Sequence, residues 1–295
     1  MNGQIPFRLP DSAHVGAVRY QIADLERSLW FYRDLVGLHL LDRVDVPGPP
    51  RARLGVPSGA VLLELVEKKG ARPVRRTGQL GLYHSALLLP SRVSLGSFVR
   101  HLEASGFPFG SADHLVSEAL YLRDPDGLTL EVYADRARSQ WAKRDGEYLT
   151  ALDPLDLEGL RALAAGEPWS GVPDGSVIGH VHFYVGDLER AAAFYHHGLG
   201  LDIVMWSLPG ALFMSAGSYH HHVGTNVWAA GAPVATDDDA GLLFWELVVP
   251  DAATVNNVAA SLVDAGFRVL SAGDSGATES ASAIDDWGIR VTITC

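Results

Sequence analysis

One segment of this chain occurs twice. DLERSLWFYRDLVGL at 24–38 returns as DLERAAAFYHHGLGL at 187–201, at a constant offset of 163 residues. Duplication on that scale means a fold built from repeated supersecondary units rather than one continuous design. Each copy predicts a helix. Asp24 and Asp187 stand as N-caps, and Glu26 and Glu189 lie in the first turn, where the helix dipole favours an acid. Leu25, Leu29, Tyr32 and Val36 recur at helical spacing and form one apolar face. Gly37 and Gly200 supply the left-handed residue that stops such a helix. A strand precedes each helix, Val15 to Ile22 and Ile178 to Val185, and short strands follow, including Ala60 to Val66 and Ala211 to Ala216.

A fainter repeat lies behind each of these. GLYHSALLLP at 81–90 matches GLLFWELVVP at 241–250, offset by 160. Each predicts a strand and then a helix, the helices ending at Ser105-Gly106-Phe107 and Ala265-Gly266-Phe267. The turn sequences DPDG at 124–127 and DDWG at 285–288 feed a last strand. The chain therefore divides into four modules of one strand, one helix and several further strands, at about 13–66, 81–134, 177–230 and 241–295. Two modules lie in an N-terminal domain, 1–135, and two in a C-terminal domain, 177–295. Residues 136–176 link them, with an amphipathic run from Leu155 to Ala165 predicting a short helix. A single module cannot close its sheet. Two together can, as a cup of strands with helices outside, so the predicted class is α+β.

Charge narrows the partners. The net charge of −12 opposes binding to nucleic acid or to an anionic membrane surface, both of which need clusters of Lys and Arg. No apolar stretch is long enough to span a bilayer, and the opening MNGQIPFRLPDSAH lacks the basic and apolar regions of a signal peptide. The single cysteine, Cys295, cannot form a disulfide within one chain, and these features together lead to the expectation of a cytoplasmic protein.

Three stretches carry a resemblance. HVHFYVGDLERAAAFY at 180–195 is similar to the opening of modules in the vicinal-oxygen-chelate (glyoxalase/bleomycin resistance/extradiol dioxygenase) superfamily, and DPDGLTLE at 124–131 to their closing strand. SAGSYHHHVGTNVW at 215–228 resembles more particularly the two-domain bacterial enzymes of the catechol 2,3-dioxygenase type. The likeness runs from about residue 13 to 295. It implies two vicinal-oxygen-chelate cups and an Fe(II)-dependent extradiol dioxygenase of aromatic catabolism, with Mn(II) as the alternative metal. Its partners would be a small aromatic diol and dioxygen, with exposed sheet edges leaving room for a homo-oligomer.

In the family that it resembles, the metal ligands are two histidines from first strands and one glutamate from a last strand, which leaves open positions on a non-haem iron. The repeat offsets place the first-strand positions at Ala17, His84, His180 and Phe244, and the last-strand positions of the second and fourth modules at Glu131 and Thr292. Of these, His84, His180 and Glu131 can bind a metal. They come from the second and third modules, so this ligand set predicts a cup assembled across the two halves and a second, metal-free cup from the first and fourth. Their donor atoms must then meet within about 5 Å, given metal–nitrogen bonds of roughly 2 Å. His182 shares a strand face with His180 and is the rival ligand, whereas strand alternation turns His14 away.

The resemblance also places a catalytic histidine in the run 220–222. Read as a strand, His220 and His222 share one face, and His222 is the favoured acid–base residue. Tyr121 matches the tyrosine that donates a hydrogen bond to a substrate oxygen, and His114 is a further candidate donor. Other readings remain: a hydroquinone-type ring-cleaving dioxygenase, a glyoxalase-like isomerase with Glu64 supplying a second carboxylate, or a ligand-binding protein of the same fold without catalysis.

Overall fold

The structure, a computed structural model, describes residues 6–75, 78–271 and 280–295. The first five residues of the N-terminal stretch and the part of the fourth module at 272–279 lie outside the described residues. The first module contributes β1 (His14–Ile22), α1 (Leu25–Leu29), β2 (His39–Val44), β3 (Arg51–Gly55) and β4 (Val61–Glu67). The second contributes β5 (Gly81–Leu88), α2 (Arg92–Ser105), β6 (Gly110–Asp113), β7 (Ser117–Arg123) and β8 (Thr129–Asp135). The linker carries a small hairpin, β9 (Lys143–Arg144) and β10 (Glu147–Tyr148), and then α3 (Leu157–Leu163). The third module holds β11 (Val177–Tyr184), α4 (Leu188–Ala192), β12 (Asp202–Met205), β13 (Ala211–Ser215) and β14 (Val223–Asn226). The fourth holds β15 (Gly241–Val248), α5 (Ala252–Asp264), β16 (Val269–Ser271), β17 (Ser280–Ile284) and β18 (Arg290–Thr294).

These strands form two curled eight-stranded sheets of the α+β, four-module, two-cup kind. Sheet I runs β16-β17-β18-β15-β1-β4-β3-β2 and sheet II runs β12-β13-β14-β11-β5-β8-β7-β6. Sheet I thus joins the first module to the fourth, and sheet II the second to the third. Each central seam is an antiparallel pair of first strands, β1 with β15 and β11 with β5. The sheets meet at those strands: the Tyr20 and Ser85 hydroxyls hydrogen-bond, and the Phe183 and Trp245 rings lie 6.3 Å apart. A continuous apolar core runs through both sheets and their helices.

The duplicated helices follow the caps read from sequence. Asp24 Oδ1 accepts from the Arg27 amide at 2.9 Å, and Asp187 Oδ1 from the Arg190 amide at 2.8 Å. Each helix then widens into a π-helical turn, Trp30–Leu35 and Ala193–Gly198, which the helical spacing did not predict. The expected apolar face survives the wider turn, since Leu25, Leu29, Tyr32 and Val36 are all buried. Tyr32 donates to Asp124 Oδ2 at 3.1 Å, and Tyr195 to Asp285 Oδ2 at 2.9 Å. Each of these acids also fixes its own turn: Asp124 Oδ1 accepts from the Asp126 and Leu128 amides, and Asp285 Oδ1 from those of Trp287 and Ile289. The modules of one half are therefore latched helix to turn, while the sheets join the halves to each other.

α3 packs on α2 so closely that a Cβ at Gly96 would stand 2.2 Å from the Leu160 carbonyl oxygen. The linker hairpin is tied to the third module: the Glu147 carboxylate accepts from the Trp206 and Ser207 amides, and Tyr148 donates to the Ser218 carbonyl at 2.6 Å.

Candidate active site

Three adjacent strands of sheet II set the floor of the site. Ala86 on β5 is level with Glu131 on its parallel neighbour β8 and with His180 on its antiparallel neighbour β11. His84 lies two residues from Ala86 and so on the same face. Glu131 and His180 thus flank a small, fully buried alanine, with His84 beside them. One ligand-capable atom from each of His84, Glu131 and His180 lies within 4.8 Å of the others. Glu131 Oε2 is 3.1 Å from His84 Nε2 and 3.4 Å from His180 Nε2. Bonds of roughly 2.1 Å to a common ion at near-octahedral or tetrahedral angles require separations of about 3 Å.

The surroundings also call for a cation. Glu131 is buried with no Lys or Arg against it among the described residues. Burial by itself would raise its pKa, and the His180 and His84 rings, when protonated, outweigh burial and hold the carboxyl below its ordinary range. Burial pushes His84 down to about 3, so its imidazole is neutral, as a ligand must be. Both ring nitrogens of His84 and the Nδ1 of His180 are buried without a hydrogen-bond partner among the described residues. Orphaned buried imidazole nitrogens around an anionic carboxylate fit a metal-binding set. His182 lines the same cavity but is not in that set, and its Nε2 is 3.0 Å from Asn226 Nδ2. His14 is exposed, with its Nδ1 2.9 Å from the Ser12 carbonyl. Glu64 lies in sheet I, where it accepts from Arg19 Nε at 2.7 Å.

A cavity of about 290 Å³ opens above this floor. Tyr121 lies opposite Glu131 in the β7–β8 register and lines the cavity with His114. His114 Nδ1 is 2.9 Å from the Ala151 carbonyl, to which it can only donate, so in the neutral ring Nε2 is the acceptor. Tyr121 Oη, 2.6 Å from that Nε2, is then the donor. Burial and the charge of Glu131 raise the tyrosine pKa well above its ordinary value, so the phenol keeps its proton.

The histidine run departs from expectation. Residues 219–222 are not a strand: they form the irregular connection between β13 and β14, so alternation does not assign their faces. His222 does not line the cavity, and its Nδ1 accepts from the Ala216 amide at 3.2 Å. His220 and His221 do line it, and the His221 ring centroid is 4.2 Å from that of His180. Asp135 Oδ1 accepts from His220 Nε2 at 2.9 Å, and His220 Nδ1 is 2.9 Å from His221 Nδ1. With the carboxylate as acceptor, neutral His220 carries its proton on Nε2. Its Nδ1 then accepts from His221, which leaves His221 Nε2 with a free lone pair. Burial, with His180 and His220 nearby, pushes the His221 pKa well below its ordinary value.

Sequence patterns had not pointed to His221, nor to the linker residues Tyr148, Thr150, Ala151 and Leu152 that wall the cavity. The histidine triplet was the only signal for the first. The linker carries no motif, and its role arises from the bonds that seat its hairpin on the third module.

The description "Glyoxalase/Bleomycin resistance protein/Dioxygenase superfamily" belongs to a family whose sequence model matches residues 13–132 and 177–293. A catechol-2,3-dioxygenase of Bacillus subtilis (strain 168) is 40% identical over 262 residues, which cover 88% of this chain and 90% of the relative. Among solved structures, a Bacillus subtilis subsp. subtilis str. 168 protein with a provisional dioxygenase assignment superposes with a TM-score of 0.66 at 16% identity, covering 98% of this chain and 86% of its own. Glyoxalase I from Zea mays gives a TM-score of 0.57 at 18% identity, over 96% of this chain and 92% of its own. At such identities the two structures show the shared fold alone.

Proposed function

The chain belongs to the glyoxalase/bleomycin resistance protein/dioxygenase superfamily, and from that premise we propose that it is an extradiol-type dioxygenase that opens the ring of a catechol-like aromatic diol with dioxygen. The observation that carries this reading is the cluster of His84, Glu131 and His180 at the floor of a cavity lined with aromatic and acid–base side chains. The relative named catechol-2,3-dioxygenase, similar over most of both chains, supports the same class. His84, His180 and Glu131 would hold Fe(II), with Mn(II) as the alternative. Two imidazoles and one carboxylate leave room on a metal for two further reactants. The ion, when bound, supplies the path by which electrons pass from the diol to dioxygen.

The other residues handle protons and position. His221 Nε2 takes a proton from a diol hydroxyl and later returns it to an oxygen of the opening ring. Such acid–base help contributes about 10²–10⁴-fold. Asp135 and His220 act as positioning residues, since their hydrogen bonds set which His221 nitrogen carries the proton. Tyr121, whose proton is held on His114 Nε2, offers its oxygen as acceptor to a diol hydroxyl. The apolar walls contributed by Phe213, Met205 and Leu208 keep bulk water from this chemistry.

The test is anaerobic loading with Fe(II), then addition of catechol and air. A yellow ring-fission product, absent without iron, is expected. A chain that binds iron at one equivalent yet consumes no dioxygen with any aromatic diol would overturn the proposal.

A further inference from the structure

The cavity also has a chemical preference. Building on the ring-cleavage reading, we infer that the substrate is an uncharged catechol carrying an apolar substituent, and that carboxylated catechols are poor substrates.

Three observations lead there. First, no Lys or Arg lines the cavity among the described residues, and its one acidic residue, Glu131, belongs to the metal-binding set. A carboxylate carried in on a substrate would lose water and find no Lys or Arg among the side chains that line the cavity, which is unfavourable. Lys143 stacks on the Tyr148 ring, 4.1 Å from its centroid, but is exposed and not part of the lining. Second, the space exceeds what a bare diol needs. A void of roughly 150 Å³ accommodates benzene, and this cavity measures about 290 Å³. Third, the surplus is bounded by apolar groups that reach solvent. Leu152 is 80% exposed and Trp228 53% exposed, and both line the cavity together with Leu208 and Met205. Large exposed apolar side chains that line a cavity mark a surface that gains from being covered. A ring bound on the floor with its substituent directed outward would cover them.

The experiment compares catechol, butylcatechol and protocatechuate with the iron-loaded protein, and measures their binding to the metal-free protein through tryptophan fluorescence. Burial of an alkyl chain predicts kcat/KM rising about fourfold per methylene covered, with protocatechuate at least tenfold below catechol. The same order is expected for binding without metal. Leu152→Arg, at a position exposed enough to accept the charge, should lower the butylcatechol-to-protocatechuate ratio at least threefold in both measurements. Protocatechuate equal to or better than butylcatechol would overturn the inference and leave ring cleavage standing. If no diol is cleaved, the ring-cleavage reading fails, and the binding order by itself then decides the preference of the cavity.

Discussion

Sheets I and II share one strand order and one way of joining two modules, yet they hold opposite chemistry. In sheet II the matched positions are His84, His180 and Glu131, whose donor atoms converge. In sheet I the corresponding positions are Phe244, Ala17 and Thr292, which offer no comparable set. Nearby on sheet I, Glu64 and Asp42 are neutralised by guanidinium groups, while Glu246 accepts from the Ala17 amide at 3.1 Å. Glu64 pairs with Arg19, Asp42 accepts from Arg53 Nε at 2.7 Å, and Arg19 also lies over the Phe244 ring, 4.5 Å from its centroid. In sheet II the buried carboxylate has only imidazoles beside it. The scaffold therefore does not make the site. A buried carboxylate is left available to a metal where no guanidinium reaches it, and is a structural ion-pair member where an arginine is supplied.

That contrast breaks most readily at the metal. His84→Ala or His180→Ala should reduce bound iron from one equivalent per chain to background and abolish turnover, whereas Thr292→Ala in sheet I should keep one equivalent. Elemental analysis of the purified proteins measures this, and two equivalents in the wild type would show that sheet I also binds. Next in size is the histidine run. His221→Ala should lower kcat by about 10²–10⁴-fold with iron content unchanged, and His222→Ala should leave kcat near wild type. The reverse order would return the acid–base role to His222. Asp135→Asn, acting through His220, should cost about tenfold in kcat, in the range seen when a partner that orients an active imidazole is lost. It should also shift the pH profile, which a merely structural change would not.

The smallest effect compares the two latches between modules. Burial pushes Asp124 up to about 7 and Asp285 up to about 6, each from an ordinary value of 3.8. A carboxyl with a raised folded pKa contributes stability that is present below its unfolded value and lost as pH rises through its folded value. Relative to Asp124→Asn, the wild-type melting temperature should therefore fall by a few degrees as pH rises from about 4 to 7. Relative to Asp285→Asn, the fall should be complete about one pH unit lower. Melting curves for both variants that track the wild type across this range would show that neither acid is protonated in the fold.

Much of this was legible in one dimension. Repeat offsets located four modules because each must place its first strand, helix cap and closing turn at fixed intervals. The apolar spacing of Leu25, Leu29, Tyr32 and Val36 named a buried face even though the helix widens after Leu29. A π-helical turn leaves the same residues buried, so spacing could not reveal it. The histidine run misled for a related reason. Alternation assigns faces only where a ladder enforces it, and 219–222 lie in an irregular connection whose course is set by contacts with Asp135 and Met214.

By itself the sequence determined the modules and the class of fold, because periodicity and capping are local properties, while the candidate set His84, His180 and Glu131 came from the resemblance mapped through the repeat offsets. Only the tertiary structure decided which histidine faces the cavity, that the linker walls it, and how near His84, Glu131 and His180 come to one another. Those outcomes depend on strands far apart in the chain meeting at the β5–β11 seam. No local rule fixes the register and bulges of such a pairing.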